Sequence, residues 1–289
     1  LPIFIDENTR ILVQGITGNV GSFQTSIMKE YGSKIVAGVT PGKGGQKVYG
    51  IPVYNLVSQA VAEHEIDAAI SYVPAAFAKM AAYEVISSGI PFLVLTTEGI
   101  PENDIVSIMR YAQLAGCRVL GPDTPGLISP GKCKLGVHPH QMLMEGSVGV
   151  VSKSGSLSYE VCRVLTEAGI GQSSVVGIGG GPIWGTTHEE VLREYENDPQ
   201  TKAVVLLGEV GGKLEHRAAM YIKEHMSKPV VAMIVGRSAP PGAQMGHAGA
   251  IVEGEEGTAA SKLAALSKAG ASTARTPQEI VKILKNIGV

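Results

Sequence analysis

Short runs rich in Val, Ile and Leu alternate with longer helical patterns along almost the whole chain, and this alternation restricts the fold more than any other feature. Strands joined through helices run parallel with the helices packed on their faces, so the sequence predicts an α/β fold built from βαβ units. In the first part strands are expected at 10–14, 35–39, 68–73, 92–95 and 118–120, with helices beginning near Ser22, Asn55, Ala75 and Pro101. Residues 121–146 carry Pro122, Pro125, Pro130 and Pro139 among several glycines, which reads as too broken for a regular element. The alternation then restarts, with strands expected at 148–152, 173–177, 203–207 and 230–235 and helices at 156–168, 188–195 and 214–225. Thr187 followed by Glu190 predicts a capping box, and Thr276-Pro277 a helix start. At roughly 150 residues per domain, the 289 residues suggest one or two domains, and the break places them at 1–122 and 123–289.

Composition removes several classes of function. Hydrophobic residues make up 44% and charged residues 17%, which excludes disorder, and the 37 glycines follow no collagen-like period. Aromatic residues are only 5%, and 24 basic residues against 26 acidic ones leave a net charge of −2 with no basic stripe, which points away from nucleic acid. Cys117, Cys133 and Cys162 form neither a disulfide framework nor a zinc pattern, in keeping with a reducing compartment. The apolar runs fall well short of the about 18 residues of a membrane span. A cytoplasmic location is expected, or the mitochondrial matrix if a transit peptide has been removed from before Leu1.

Two glycine loops stand at strand-to-helix junctions, where free N–H groups and the helix dipole favour an anion. In the first, Gly15-Ile16-Thr17-Gly18-Asn19-Val20-Gly21 has G-x-x-G-x-x-G spacing instead of the dinucleotide G-x-G-x-x-G. The second strand leads into Pro41-Gly42-Lys43-Gly44, and a lysine there suits a phosphate better than a ribose diol, so NADP or coenzyme A fits better than NAD. A plain tight turn with a solvated Lys43 is the simpler alternative. In the second, Ser152-Lys153-Ser154-Gly155-Ser156 opens a helix and can hold a phosphate or merely cap it; the G-x-S-x-G elbow of a serine hydrolase is absent.

Among seven histidines, His64, His188, His216 and His225 lie in polar helical patterns and read as surface residues, and His138-Pro139-His140 as a loop. His247 differs, because Met245-Gly246-His247-Ala248-Gly249-Ala250 surrounds it with small residues that let a ligand approach. Imidazole is largely neutral at pH 7 and can act as a nucleophile.

Taken with Thr97-Glu98-Gly99-Ile100-Pro101 and Gly208-Glu209-Val210-Gly211-Gly212, these motifs resemble, over essentially the whole chain, the α subunit of succinate–CoA ligase. The resemblance implies a Rossmann-like coenzyme A domain followed by a flavodoxin-like domain bearing a transiently phosphorylated histidine. It implies that Thr17, Gly18, Asn19, Val20 and Lys43 contact coenzyme A, with Thr96, Thr97 and Glu98 beside it. His247 would take the phosphoryl group, Glu209 orient its ring, Ser154, Gly155 and Ser156 receive the phosphate, and Tyr159 lie near the carboxylic acid substrate. It also implies an ATP-grasp β subunit, in αβ or α2β2 assembly, that binds ATP or GTP with Mg²⁺. Two observations agree with half an enzyme. No P-loop is present, because none of Gly42-Lys43, Gly131-Lys132 and Gly212-Lys213 is followed by Ser or Thr. One helix terminus contributes only about 0.3–1 kcal/mol per charge, up to about 2 when partly buried, so further donors are needed for a phosphoryl group.

The sequence departs from the family where Asp123 stands for the usual Asn, Gly181 for Asp with the bulky Trp184 following, His140-Gln141 for Gly-His and Lys153 for Arg. A carboxylate at Asp123 would repel a dicarboxylate unless protonated or paired, so malate–CoA or citrate–CoA ligase is the alternative within the superfamily. Outside it stand an NADP-dependent oxidoreductase and a non-catalytic coenzyme A sensor.

Overall fold

The computed structural model, which describes residues 3–240 and 242–289, arranges the alternating runs into two seven-stranded sheets. The first contains β1 (Arg10–Gln14), α1 (Asn19–Glu30), β2 (Lys34–Val39), β3 (Lys47–Val48), β4 (Ile51–Tyr54), α2 (Val57–Glu63), β5 (Ala68–Ser71), α3 (Ala75–Ser87), β6 (Phe92–Leu95), α4 (Glu102–Ala115) and β7 (Arg118–Leu120). Its order is β3-β4-β2-β1-β5-β6-β7, parallel from β4 to β7, with β3 antiparallel at the edge. Without β3 this is the 3-2-1-4-5-6 order of dinucleotide-binding sheets.

The second contains β8 (Gly126–Ser129), β9 (Cys133–Gly136), β10 (Glu145–Ser152), α5 (Gly155–Glu167), β11 (Gln172–Gly177), α6 (His188–Asn197), β12 (Ala203–Gly208), α7 (Leu214–His225), β13 (Val230–Ile234), α8 (Ala259–Lys268), β14 (Ser272–Thr273) and α9 (Pro277–Asn286). Its order is β14-β13-β12-β10-β11-β8-β9, in which the parallel part follows the flavodoxin-like 2-1-3-4-5 pattern. The α/β class with a Rossmann-like and a flavodoxin-like sheet agrees with the sequence. Central strands such as β12 are buried along their whole length, as parallel strands covered on both faces must be.

Three readings need correction. Residues 121–146 contain a regular hairpin, β8–β9, which pairs antiparallel with β11. Its four prolines all fall outside the two strands, with Pro130 in the turn, and the short runs Leu127-Ile128 and Cys133–Leu135 are wholly buried. Second, α8 follows the glycine-rich segment and was not anticipated. Third, His188 is fully buried rather than exposed, because the first turn of α6 sits on the sheet with His188 Nε2 3.3 Å from Leu207 O. Burial holds its pKa down at about 4, so the ring is neutral. His64 and His216 are half-buried, beside Tyr54 Oη at 2.9 Å and Ser261 Oγ at 3.2 Å, while His225 is exposed.

The two sheets are joined by more than the linking segment. The buried Ser33 Oγ donates to Lys134 O at 2.7 Å and accepts from Lys134 N at 2.9 Å. Thr186 Oγ1 donates to Val119 O at 2.6 Å, Gly185 N to Gly121 O at 2.9 Å, and Arg118 pairs with Glu194 at 3.0 Å.

Candidate functional site

Each parallel sheet has one switch point where successive crossovers leave in opposite directions, and a crevice opens there beyond the carboxyl ends of two strands. In the first sheet that point lies between β1 and β5. A cleft of about 910 Å³ opens there, lined by Thr17, Gly18, Asn19, Val20, Tyr72 and Pro74 among others. This is the size of a cofactor site. No side chain caps α1, and no acidic residue stands in its first turn, while Glu84 on the cleft wall is engaged by Val57 N at 2.8 Å. Gly21 makes the turn possible, since a Cβ there would come within 2.1 Å of Gly15 O. Val20, Leu56, Phe77 and Met80 leave apolar surface exposed along the cleft.

The structure brings four of the eight expected coenzyme A residues into this lining: Thr17, Gly18, Asn19 and Val20. Lys43 is on an exposed turn beyond β2, outside the lining. Thr96 Oγ1 and Thr97 Oγ1 donate to Ser71 O and Val73 O, each at 2.7 Å, and so tie the loop after β6 to the one after β5. Glu98 is exposed next to them.

In the second sheet the switch point lies between β10 and β12, and the loops after these strands carry Ser154–Ser156 and Glu209. Ser154 caps α5, its Oγ accepting from Leu157 N at 3.3 Å, with Ser156 Oγ 3.4 Å away. Ser152 Oγ fixes the turn by donating to Ser154 O at 2.7 Å. Gly155 follows, and Tyr159 lies one turn further on, edge-on to His138 with ring centroids 5.5 Å apart. His138 is buried with neither ring nitrogen paired, and burial together with Lys134 pushes its pKa down to about 3. Burial pushes the Tyr159 hydroxyl up to about 12. His138 and Pro139 follow β9, and His140 opens a short 3-10 turn, His140–Met142.

His247 enters this site from a turn that folds back on itself, with Met245 N bonded to Ala250 O and Gln244 bridged to Ile251. Its Nδ1 lies 2.7 Å from Glu209 Oε2. The Glu209 side chain is 6% exposed and the imidazole 30%, so the acid is buried behind a ring that reaches solvent. The hydrogen bond to Glu209 raises the His247 pKa; burial opposes it, Asp123 adds to it and Lys153 works against it. Asp123 is half-buried, and its carboxyl is pushed upward by burial first and then by Glu98 and Glu209. The ring lies flat against the backbone at Gly180, where a Cβ would stand 2.3 Å from His247 Cγ. Trp184 Nε1 holds the preceding carbonyl, Gly179 O, at 2.9 Å.

This is a histidine oriented at one nitrogen by a buried carboxylate that follows β12, the strand paired with the one leading into α5. Residues 6–99 match the CoA binding domain family and residues 151–272 the CoA-ligase family. The ADP-forming succinate–CoA ligase subunit alpha 1 of Archaeoglobus fulgidus is 54% identical over 285 residues, covering 99% of this chain and 98% of that relative. The chain belongs to the succinate–CoA ligase α-subunit family. The corresponding subunit of Methanothermobacter thermautotrophicus is 54% identical over 288 residues, with 99% and 98% covered. Among solved structures, an ATP citrate lyase of Methanosaeta concilii in complex with (3S)-citryl-CoA aligns with a TM-score of 0.90 at 26% identity. That alignment covers 99% of this chain and 51% of the lyase chain, so the chain spans about half the length of that relative.

Local sequence pattern does not mark the residues behind the histidine, Gly180, Glu215 and Lys262, as site residues. Lys262 carries a signal of burial only: it sits three residues after Ala259 and four before Leu266, on the apolar stripe of α8, and all three are buried.

Proposed function

We propose that this chain is the α subunit of a nucleotide-dependent carboxylate–CoA ligase, with succinate as the acid, ADP- or GDP-forming, and active with an ATP-grasp β subunit. The division of labour follows the two sheets, with residues 1–122 binding coenzyme A and 123–289 carrying the phosphoryl chemistry. The change of sheet between Leu120 and Gly126 supports that boundary. The observation that carries the reading is the 2.7 Å contact between His247 Nδ1 and the buried Glu209, in the loop after the strand paired with the one that leads into α5.

The geometry suits a shuttle. With the Nδ1 proton held by Glu209, the lone pair of Nε2 is free to act as nucleophile. Nε2 takes the terminal phosphoryl group of the nucleotide: a P–N bond forms and the P–O bond to the diphosphate breaks. Glu209 then offsets the positive charge on the ring. A carboxylate oxygen of the substrate next takes the phosphoryl group, the P–N bond breaks, and an acyl phosphate forms. The thiol sulfur of coenzyme A attacks its carbonyl carbon, loses its proton to solvent, and expels phosphate. Three modest barriers replace one high one. Ser154, Gly155 and Ser156 offer donors to the phosphoryl oxygens, and Tyr159 lies one turn on for the acid.

Thr17, Gly18, Asn19 and Val20 fit an anionic, adenosine-bearing ligand, because the uncapped start of α1 and the apolar cleft wall lie side by side. Lys43, Thr96, Thr97 and Glu98 remain candidates at the rim. Labelling of the αβ complex with nucleotide carrying a labelled terminal phosphate tests the reading. We expect an acid-labile label on this chain that is lost in His247→Asn; label retained in that variant would refute the assignment. A second acid substrate is favoured by one observation, the Asp123 carboxyl near His247, Glu98 and Glu209. Rates with succinate, malate, itaconate and citrate decide between them.

A further inference from the structure

Behind the Glu209–His247 pair lies a second set of charges that the chemistry above leaves unused. Glu215 of α7 and Lys262 of α8 are fully buried, with Lys262 Nζ 2.5 Å from Glu215 Oε2. A buried ion pair is poor evidence of stabilisation, because removing two charges from water costs several kcal/mol and apolar replacements often do as well. What distinguishes this pair is what else each end holds. Lys262 Nζ donates to Glu209 O at 2.8 Å and also to Gly211 O, while Glu215 Oε1 accepts from Glu209 N at 3.3 Å. Together they grip the backbone of Glu209 by both its amide and its carbonyl.

The grip begins where the sheet stops. The last rung of β12 is Gly208 opposite Ile234, so no ladder bond holds Glu209. A second cation completes the cluster: Lys153 Nζ is buried 3.0 Å from Glu215 Oε1, off the line of a good hydrogen bond, with the Trp184 ring centroid 5.0 Å away. Burial alone would push the Glu215 carboxyl upward, but Lys153 and Lys262 outweigh it and keep it ionised. Two lysines against one carboxylate leave a positive excess behind Glu209, whose Oε1 is buried without a partner.

We propose that Lys262 and Glu215 are positioning residues for the Glu209–His247 pair, setting the direction from which the Glu209 carboxylate meets the imidazole. The inference rests on the phosphohistidine reading. With both sides of the Glu209 backbone fixed, its Cα–Cβ direction is fixed, and the side chain needs only its own rotors to reach Nδ1. Releasing either grip lets a 2.7 Å contact lengthen while the cleft of the first sheet is untouched.

The test uses Glu215→Gln and Lys262→Met in the αβ complex, with His247→Asn as control. It reads kcat, the KM for coenzyme A, and the His247 pKa from histidine nitrogen chemical shifts in the full-length chain. We expect each variant to lower kcat at least tenfold, leave the KM for coenzyme A within about twofold, and move the His247 pKa down toward its ordinary value. Asp123 and Lys153, the other charges acting on His247, remain in place. Parental kcat and His247 pKa in folded variants, even with a lowered melting temperature, would overturn the proposal. If Lys262→Met does not fold, the isosteric Glu215→Gln decides. A label retained in His247→Asn sinks the phosphohistidine reading instead, and the His247 pKa then still reports on the clamp.

Discussion

A single hydrogen bond sets the character of His247, and its consequence is visible in solution. Bonding to Glu209 raises the folded-state pKa above the ordinary value of 6.5. A group whose pKa is raised on folding adds stability that is fully present below its unfolded pKa and is lost as pH rises through the folded one. We therefore expect Glu209→Gln to lower the melting temperature most below pH 6.5, with the gap to the parent shrinking at higher pH. An equal gap at about pH 6 and about pH 9 would disprove the linkage. His247 was legible in the sequence because small residues around a histidine are informative. Gly180 was not, since what it accommodates is a ring 67 positions away in sequence, and local pattern carries no trace of that contact. His188 misled for a related reason: Glu189 and Glu190 beside it make its segment look polar, although the first turn of α6 lies on the sheet.

At the scale of elements, both candidate sites are built from a helix start beyond a central strand. Their distinct roles predict separable failures. Gly21→Ala would place a methyl group 2.1 Å from Gly15 O, forcing α1 away from its turn. We expect the KM for coenzyme A to rise at least tenfold while the phosphorylation of His247 by nucleotide in the αβ complex is unchanged; loss of both together would contradict the separation. The strands and helices on either side of these turns were legible because their hydrophobic periods are long and clean. The hairpin β8–β9 was not, because two four-residue strands flanked by proline carry too short a period, and burial on both faces erases alternation. Lys43 shows the converse: its motif reads as a phosphate turn, yet it stands outside the lining of the cleft.

For the whole molecule, the switch points of the two sheets supply a ligand cleft and a histidine, but among the described residues no P-loop strand-to-helix turn accompanies them. We expect the purified chain alone to form no thioester, and addition of the cognate β subunit to restore it; steady turnover without a partner would end the subunit reading. No helix among the described residues is long and apolar enough to cross a membrane. The order of the two architectures was legible from the restart of the alternation, whereas the stitching between them was not, because Ser33, Thr186 and Arg118 are ordinary polar residues until their partners are known. That stitching has a mechanical meaning. Ser33 bonds both the amide and the carbonyl of one residue across the junction, and Thr186, Gly185 and Arg118 add three further contacts, so any parting of the two sheets would have to break all of them together. On the phosphohistidine reading, transfer between the cleft and the histidine then falls to the long arm of coenzyme A and to the phosphoryl group itself, rather than to a swing of one sheet against the other.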